Sequence, residues 1–215
     1  MSTRTTENNG TTFVSVTSSM KIVKKLLNEP EDYYGPLGSI HAAEGEGCHR
    51  ICLDWLACKA GFLPQWHIPP KPDFHFSKER WDRVLDRALN AFQEFTRLYQ
   101  IDPIGIEQED FSKAYGLVGH IDLPAYFTIP GRRRMKGPID LKFTATVQES
   151  HRLQVRCYGR LNGMTDSQIG GIFYCNRDTG AWKFEPVNLT ERLDDVMAVS
   201  YAAKLWAWGE QKKTA

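Results

Sequence analysis

The sequence lacks the long apolar segments and the paired cysteines that characterise several large classes of protein. No apolar run among the 215 residues approaches the roughly 20 residues of a membrane-spanning helix, and no signal-peptide core follows Met1, so we expect no membrane partner. The five cysteines include no C-x2-C pair, which argues against a disulfide scaffold, a zinc site or an iron–sulfur cluster. This cysteine usage fits a reducing cytoplasm.

The chain also has little excess charge and none of the common nucleotide-binding or hydrolase signatures. No Walker A, G-x-S-x-G or G-x-G-x-x-G motif is present, which argues against a P-loop enzyme, an α/β-hydrolase and a dinucleotide-binding protein. A formal net charge of +1 leaves DNA binding open, because acidic metal ligands and basic DNA contacts cancel in the sum. The hydrophobic content of 41% is ordinary for one globular domain.

The order of predicted elements indicates a mixed fold. Residues 1–12 are polar and predicted to be disordered, and residues 13–215 to form one domain, helical to about residue 100 with an α/β core after it. We predict an extended segment at 13–17, helices at 18–27, 40–60, 77–98, 150–161 and 190–209, a loop at 64–72, and strands at 104–108, 117–129, 138–144, 169–175 and 182–186. The expected fold class is α+β (α/β), a central mixed β-sheet flanked by helices.

An acid–x–lysine triplet is the first candidate for chemistry. In a strand, Asp140 and Lys142 project from one face and their apolar neighbours from the other. Asp122 and Glu107 lie on the preceding predicted strands, and strands adjacent in sequence usually pair, so the three acids could converge. Clustered carboxylates suit Mg²⁺ or Mn²⁺. The alternative is three unrelated surface acids, and Glu109 is close enough to compete with Glu107.

A histidine in the second predicted helix is a further candidate ligand. His49 could supply an imidazole to a Mn²⁺ site, or it could simply be a partly buried helix residue. Gly45 and Gly47 precede it and are unfavourable inside a helix. Either the helix begins later, or another group approaches its backbone closely there.

The predicted helix after Lys142 carries two possible DNA-binding faces. Gln154 and Tyr158 are four residues apart and could hold or stack on a DNA strand, or form the rim of an ordinary amphipathic helix. The second face is a basic stripe at four-residue steps, formed by Arg152, Arg156 and Arg160, which could bind phosphates or remain solvated.

A basic loop joins the two predicted strands that bear Asp122 and Asp140. Its residues Arg132, Arg133 and Arg134 could grip DNA near the candidate site, in a salt-dependent manner. A mobile, solvated hairpin tip is the alternative interpretation.

Taken in order, these short motifs resemble the PD-(D/E)XK nucleases of the RecB-like exonuclease branch, which includes phage-encoded and mitochondrial-genome-maintenance exonucleases. The similar segments run along most of the chain. They are Phe13-Val14-Ser15-Val16-Thr17 for "PSVT", Gly47-Cys48-His49 for the glycine–x–histidine, Glu107, Gly119-His120-Ile121-Asp122 for "G-x-x-D", Ile139-Asp140-Leu141-Lys142 for the acid–x–lysine, and Gln154-x-x-x-Tyr158 for "Q-x-x-x-Y". The chain departs from the pattern at Phe143, where the family usually has Thr or Ser.

The resemblance implies a restriction-endonuclease-like core and a metal-dependent DNA exonuclease that acts on single- or double-stranded ends in the cytoplasm of a bacterial or phage-infected cell. A single-strand annealing protein is the protein partner that it suggests. It implies one or two Mg²⁺ or Mn²⁺ ions, with no iron–sulfur cluster. The implied metal ligands are His49, Glu107, Asp122, Asp140 and the Leu141 carbonyl, and Lys142 would serve the attacking water. A catalytically silent DNA-binding module and a phage interaction protein on the same fold are the alternatives.

Overall fold

A computed structural model gives the architecture, and the structure describes residues 5–8, 11–26, 36–72 and 77–214. The fold is mixed α/β, with two mixed β-sheets flanked by helices. The strands are β1 (Thr5–Asn8), β2 (Thr11–Ser15), β3 (Asp102–Pro103), β4 (Gln108–Ser112), β5 (Leu117–Ile121), β6 (Leu123–Thr128), β7 (Arg134–Lys142), β8 (Ile169–Cys175) and β9 (Trp182–Asn188). The helices are α1 (Val16–Leu26), α2 (Pro36–Lys59), α3 (Lys78–Leu98), α4 (Glu149–Tyr158) and α5 (Leu193–Thr214), with a 3-10 turn at Asn162–Met164.

The first sheet has the order β1-β2-β5-β4, and only its β2–β5 pair is parallel. The prediction of a disordered segment over 1–12 is therefore wrong for β1 and for the start of β2, while residues 1–4 and 9–10 lie outside the described part. Tail residues that are polar by composition gain order here because β2 pairs with both β1 and β5. The N-terminal portion thus contributes two strands as well as helices.

The second sheet has the order β3-β6-β7-β8-β9, and only its β7–β8 pair is parallel. Helix α4 provides the crossover that a parallel pair requires. Val155 of α4 packs in a buried cluster with Ile172, Val187 and Leu189. One central sheet was expected, and the structure has two, because the strand predicted over 117–129 is broken at Asp122.

The break at Asp122 redistributes the middle of the chain. β5 belongs to the first sheet and β6 to the second, with Asp122 as the single residue between them. The strand predicted at 104–108 is also wrong, because 104–107 is irregular and β4 begins at Gln108. In that segment the Ile104 N–H donates to the Pro124 carbonyl, and Glu107 has a positive φ of 46°, which a regular strand does not allow.

The largest core lies between helices α2 and α3 and one face of the second sheet. Helix α3 begins as predicted, since the Ser77 hydroxyl accepts a hydrogen bond of 3.1 Å from the Arg80 N–H. Its buried stripe has the predicted helical spacing. The core it helps to form consists mainly of Ile51, Leu56, Trp81, Leu85, Phe92, Phe95, Phe127, Ile139, Phe173 and Phe184.

The remaining boundaries differ modestly from expectation. Helix α1 begins at Val16, earlier than predicted, because the Ser15 hydroxyl accepts from the Ser18 N–H at 3.4 Å. The loop at 64–72 and the strand at 169–175 are confirmed. Helix α2 begins four residues before the predicted 40–60 and ends one residue earlier, and α5 begins three residues after the start of the predicted 190–209 and ends five residues later. Among the described residues no helix is both long and apolar enough to cross a membrane.

An ion pair with a fully buried carboxylate joins α2 to α3. The Glu44 side chain is 1% exposed, and its two oxygens accept from Arg80 Nε at 2.5 Å and from an Arg80 terminal nitrogen at 3.2 Å. Burial alone would raise the pKa of Glu44, but Arg80 and His41 hold the pKa below its ordinary value.

Glu44→Gln is expected to destabilise the chain by about 2 kcal/mol at pH 7, because Arg80 loses its charged acceptor. A carboxyl whose folded pKa is lowered stabilises the fold above its unfolded pKa of 4.5, and that contribution disappears as pH falls through the lowered folded value. Urea unfolding at neutral and acidic pH measures this. The difference in the free energy of unfolding between wild type and variant should become smaller in acid. A difference that does not change with pH would contradict an electrostatic origin of the stabilisation.

Candidate functional site

The two aspartates of the acid–x–lysine and G-x-x-D motifs meet at the joint between the sheets. Strand β7 pairs with β6 so that Ile139 lies opposite Leu123, which places Asp140 beside Asp122. The Leu141 backbone N–H donates a 2.8 Å hydrogen bond to Asp122 Oδ2. The break between β5 and β6 therefore turns Asp122 towards β7.

Helix α2 presents His49 to the same joint. Its Nε2 lies 3.2 Å from Asp122 Oδ2, and its Nδ1 lies 3.6 Å from Glu107 Oε1. Burial would lower the pKa of His49, but Asp122 and Glu107 raise the pKa above its usual value. The same contact holds the pKa of Asp122 low although burial opposes it.

Glu107, and not Glu109, is the acid beside His49. The Glu107 N–H donates to the Asp122 carbonyl at 2.9 Å, which fixes the irregular turn before β4. Glu109 instead pairs across the strands with His120 at 3.1 Å, and both of these side chains are exposed. The backbone of Glu107 is in the left-handed region, where a residue with a Cβ is strained by about 1–3 kcal/mol.

Asp140 is the most deeply buried of the four side chains and pairs with Lys142. The Lys142 ammonium lies 2.8 Å from Asp140 Oδ1 and 2.7 Å from Oδ2. Within the described residues, Oδ2 accepts no hydrogen bond of acceptable geometry although it is buried. Burial raises the pKa of Asp140 to about 6, with Lys142 opposing the shift and Asp122 adding to it.

These donors fit a hard divalent cation by their chemistry. Mg²⁺ and Mn²⁺ prefer carboxylate oxygens, and Mn²⁺ also accepts imidazole. The 3.2 Å between His49 Nε2 and Asp122 Oδ2 is a hydrogen-bond distance, so an ion shared by these two groups would have to replace their direct contact. Among the described residues no three His, Cys, Asp or Glu side chains form a ready-made metal cage. The Lys142 ammonium lies 2.7 Å from Asp140 Oδ2, so an ion at this carboxylate would compete with it.

Glu107 and Asp122 face different nitrogens of the His49 ring. Asp122 faces Nε2 and Glu107 faces Nδ1, so the two acids flank the imidazole in this conformation. The structure brings His49, Asp122 and Asp140 together, while the Glu107 side chain is 64% exposed at the margin. The Leu141 side chain is buried in the main core, so only its backbone faces the joint.

The Gln154–Tyr158 pair lies inside the fold. Tyr158 is 1% exposed, and its hydroxyl oxygen accepts from Gln154 Nε2 at 2.7 Å. The interpretation that this ring stacks on a base is wrong, because a buried ring offers no face to a base. The negative charges of Asp122 and Asp140 add to burial in raising the pKa of Tyr158.

The predicted basic stripe of α4 is also wrong as a DNA-binding surface. Arg156 is 7% exposed and contacts Glu149 at 3.0 Å, and Arg152 contacts Glu149 and Glu185. Arg160 donates to the Leu189 carbonyl. The four-residue spacing places these arginines on one face of the helix, as predicted. That face packs against β9 and against acidic side chains, so it is not a free basic surface.

The basic hairpin tip lies at the far end of β7 from the candidate site. Arg132, Arg133 and Arg134 are exposed. Arg134 precedes Asp140 by six positions along the strand, which corresponds to about 20 Å. Arg134 pairs with Asp102, and its guanidinium lies 5.2 Å from the centre of the Tyr126 ring. The predicted proximity to the site is wrong, whereas DNA contact at this distance stays a prediction.

Two glycines of the motifs permit close packing. A Cβ at Gly47 would lie 2.3 Å from the Trp81 ring, and one at Gly119 would lie 2.9 Å from the Tyr158 ring. Real Cβ atoms do not approach this closely. Of the two alternatives for the α2 glycines, the close approach is confirmed at Gly47, where Trp81 makes it, and α2 does not begin later.

Tyr158→Phe is expected to destabilise the chain by about 1 kcal/mol, because the Gln154 amide loses its buried acceptor. Chemical denaturation measures this change. Tyr201→Phe is the matched control, since the Tyr201 side chain is 57% exposed and should be insensitive. Equal stability of the two variants would show that the Gln154–Tyr158 hydrogen bond does not support the fold.

Several residues near the site belong to none of the sequence motifs and were not predicted. A cleft beside Lys142 is lined also by Lys24, His41, Gln148, His151 and Arg177. Thr17 lines it too, and it ends the segment that resembles "PSVT". Arg177 comes from the turn after β8, where nothing in the local sequence distinguishes it from any surface arginine.

Comparison with known proteins adds little. No family model matches the chain, and no curated protein matches it. Among solved structures, one described as the crystal structure of SSO0001 is similar over 89% of this chain and 84% of its own, at 10% sequence identity and a TM-score of 0.35. A score this low carries no information about function.

Proposed function

We propose that this chain is a metal-dependent deoxyribonuclease of the PD-(D/E)XK type that removes nucleotides from DNA ends. The proposal is supported above all by Asp140, a fully buried carboxylate that is set beside the second acid Asp122 and has the Lys142 ammonium 2.7 Å from its Oδ2. Buried carboxylates are costly unless a cation neutralises them. A structural ion pair would need only one acid, whereas two acids and an imidazole meet here.

The residues divide into two roles in this proposal. Asp122, Asp140 and His49 would hold Mg²⁺ or Mn²⁺, with Glu107 and the Leu141 carbonyl beside them. When bound, such an ion polarises a phosphate and lowers the pKa of a coordinated water. Lys142 would then direct its ammonium towards the phosphate oxygens or the attacking water, where it stabilises developing negative charge.

The chain's own contacts keep these groups in place. The Leu141 N–H donates to Asp122 Oδ2, which fixes the orientation of that carboxylate. The Tyr158 hydroxyl fixes the Gln154 amide at the wall of the cleft beside Lys142. Gln154 would position the DNA strand, and Tyr158 would act through Gln154.

We expect purified protein to shorten end-labelled linear DNA in Mg²⁺ or Mn²⁺ and to lose this activity completely in EDTA, because the acids need a cation to act on a phosphate. Gel analysis of linear single- and double-stranded DNA, with labels at either end, would also give the polarity. A closed circular DNA of the same sequence is the control and should persist. Degradation that continues in EDTA, or no degradation of any linear DNA, would overturn the proposal.

A further inference from the structure

A cationic cleft of about 380 Å³ opens beside Lys142. Lys24, Lys142 and Arg177 line it together with His41 and His151, and no Asp or Glu is present among the described residues of its wall. Its remaining polar residues are Thr17, Thr144, Gln148, Ser150 and Gln154. Lys142 is paired with Asp140 behind the wall, so the charges of Lys24 and Arg177, with the neutral hydrogen-bonding groups around them, form the site for an anion.

Arg177 is held at the wall of this cleft by an anchored turn. It follows β8, and its guanidinium donates through one terminal nitrogen to the His41 carbonyl of α2. Within the turn, the Asn176 side chain accepts from the Asp178 N–H at 2.9 Å and from the Thr179 N–H at 3.2 Å. Arg87 of α3 donates to the Asp178 carbonyl, which ties the turn to a second helix.

Glu44 organises the groups around Arg177. It is fully buried, binds Arg80 through both oxygens, and accepts from or pairs with His41 at 3.3 Å. The Arg177 terminal nitrogen lies 3.7 Å from the position of a Cβ on the neighbouring Gly45. A guanidinium has five N–H donors, and the contact with the His41 carbonyl uses one nitrogen. The remaining donors are those that suit a phosphate.

We propose that this cleft binds a backbone phosphate of unpaired, single-stranded DNA, that Arg177 contacts the phosphate, and that Glu44 is a positioning residue for Arg177. The cleft has the volume of a ligand pocket rather than of a groove for a duplex. Narrow cationic grooves follow the backbone of single strands. The inference rests on the proposed nuclease function, because it takes the strand in the cleft to be the substrate that reaches Asp140 and Lys142.

The test is equilibrium binding of a fluorescent single-stranded oligonucleotide and of its duplex, by anisotropy in EDTA, over a series of salt concentrations. Wild type should prefer the single strand. Arg177→Gln should raise the Kd for the single strand about tenfold and reduce the slope of log K against log salt by roughly 0.7, the value for one lost phosphate contact. Arg177→Lys should keep the wild-type slope of log K against log salt, because the charge remains, and should recover only part of the affinity for the single strand. Arg97→Gln, on an exposed part of α3, is the matched loss of one charge and should leave binding unchanged.

The Glu44→Gln variant tests whether Glu44 positions Arg177 or only alters the electrostatic attraction between the cleft and DNA. Removing a negative charge near a cationic cleft would strengthen DNA binding if long-range attraction alone mattered. Weaker binding by the folded variant is the result expected from a displaced Arg177. Tighter or unchanged binding would overturn the role of Glu44.

The cleft assignment and the nuclease proposal fail in different ways. If Arg177→Gln and Arg97→Gln weaken binding equally, or if duplex is preferred, the cleft assignment is overturned even where metal-dependent cleavage persists. If the binding results hold while no linear DNA is cleaved with Mg²⁺ or Mn²⁺, the cleft assignment stands as a single-strand site and the nuclease proposal is overturned.

Discussion

Asp140→Asn is expected to reduce metal-dependent DNA cleavage by about 10³-fold while the chain stays folded. The amide has the size of the carboxylate and can still accept from Lys142, so packing around β7 should survive. It cannot supply the anionic oxygen that a divalent cation prefers. Cleavage assays, with far-ultraviolet circular dichroism to verify folding, measure the two effects separately.

Lys142→Met should leave metal binding intact and still slow cleavage, by about 10²-fold. Its ammonium is proposed to stabilise charge at the phosphate, and it is not a ligand. Calorimetric titration with Mn²⁺ distinguishes the roles: Asp140→Asn should lose the binding heat, and Lys142→Met should keep it. A silent DNA-binding module would give no Mn²⁺ heat even for wild type.

The chain provides a matched control pair whose lysine lies on the same strand. Lys136, also on β7, contacts Asp166 at 3.0 Å, but Asp166 is exposed and the pair lies near the hairpin tip. Lys136→Met and Asp166→Asn remove the same chemical groups, an ammonium and a carboxylate, at a solvent-exposed position. They should therefore change the rate of cleavage little. If these variants were as impaired as those at Asp140 and Lys142, the special role of the buried pair would be contradicted. Full activity of Asp140→Asn would have the same consequence.

Phe95→Ala is expected to destabilise the chain by about 4 kcal/mol, which is the cost of a large cavity in a core that cannot collapse. Phe95 is fully buried, and its ring lies 4.9 Å from that of Phe173, 5.2 Å from that of Phe184 and 5.3 Å from that of Tyr99, centroid to centroid. These partners come from β8, β9 and the end of α3. The cavity would therefore loosen the attachment of α3 to the second sheet.

Urea-induced unfolding, followed by tryptophan fluorescence, measures the loss for Phe95→Ala. Phe62→Ala is the control, because Phe62 is 50% exposed in the segment after α2 and should cost little. Identical unfolding midpoints for the two variants would show that the aromatic cluster does not hold α3 to the sheet. DNA cleavage of folded Phe95→Ala should be retained at low temperature, since none of its ring partners belongs to the candidate site.

Local patterns were predictable where one physical rule dominates. Ser77 and the apolar stripe after it specify α3 by capping and by helical periodicity, and β8 is a short apolar run between turns. The acid–x–lysine alternation of β7 was also readable, because a strand places alternate residues on one face. The structure confirms the mixed α/β class and the antiparallel pairing of β6 with β7.

Predictions failed where tertiary contacts outweigh local pattern. Nothing in residues 117–129 shows that one apolar run divides between two sheets, since both halves are mostly apolar and Asp122 is the single residue between them. Four-residue spacing indicated a basic stripe on α4, yet Arg156 is buried against Glu149. Tyr158 is an aromatic residue that could stack on a base. Only the structure shows that its ring is enclosed, because Gly119 packs closely against it and the whole side chain is buried.

The sequence by itself determined that two acids and a lysine share the neighbourhood of one strand pair, because strand periodicity and adjacent pairing are local rules. The tertiary structure decided the depth of Asp140, the contact of Asp122 with His49 from a helix far away in the chain, and the presence of Arg177 in the same cleft. Burial and long-range approach depend on how separate elements pack, and no window of sequence records that packing. The pKa of Asp140, raised to about 6 by burial, is a property of that packing.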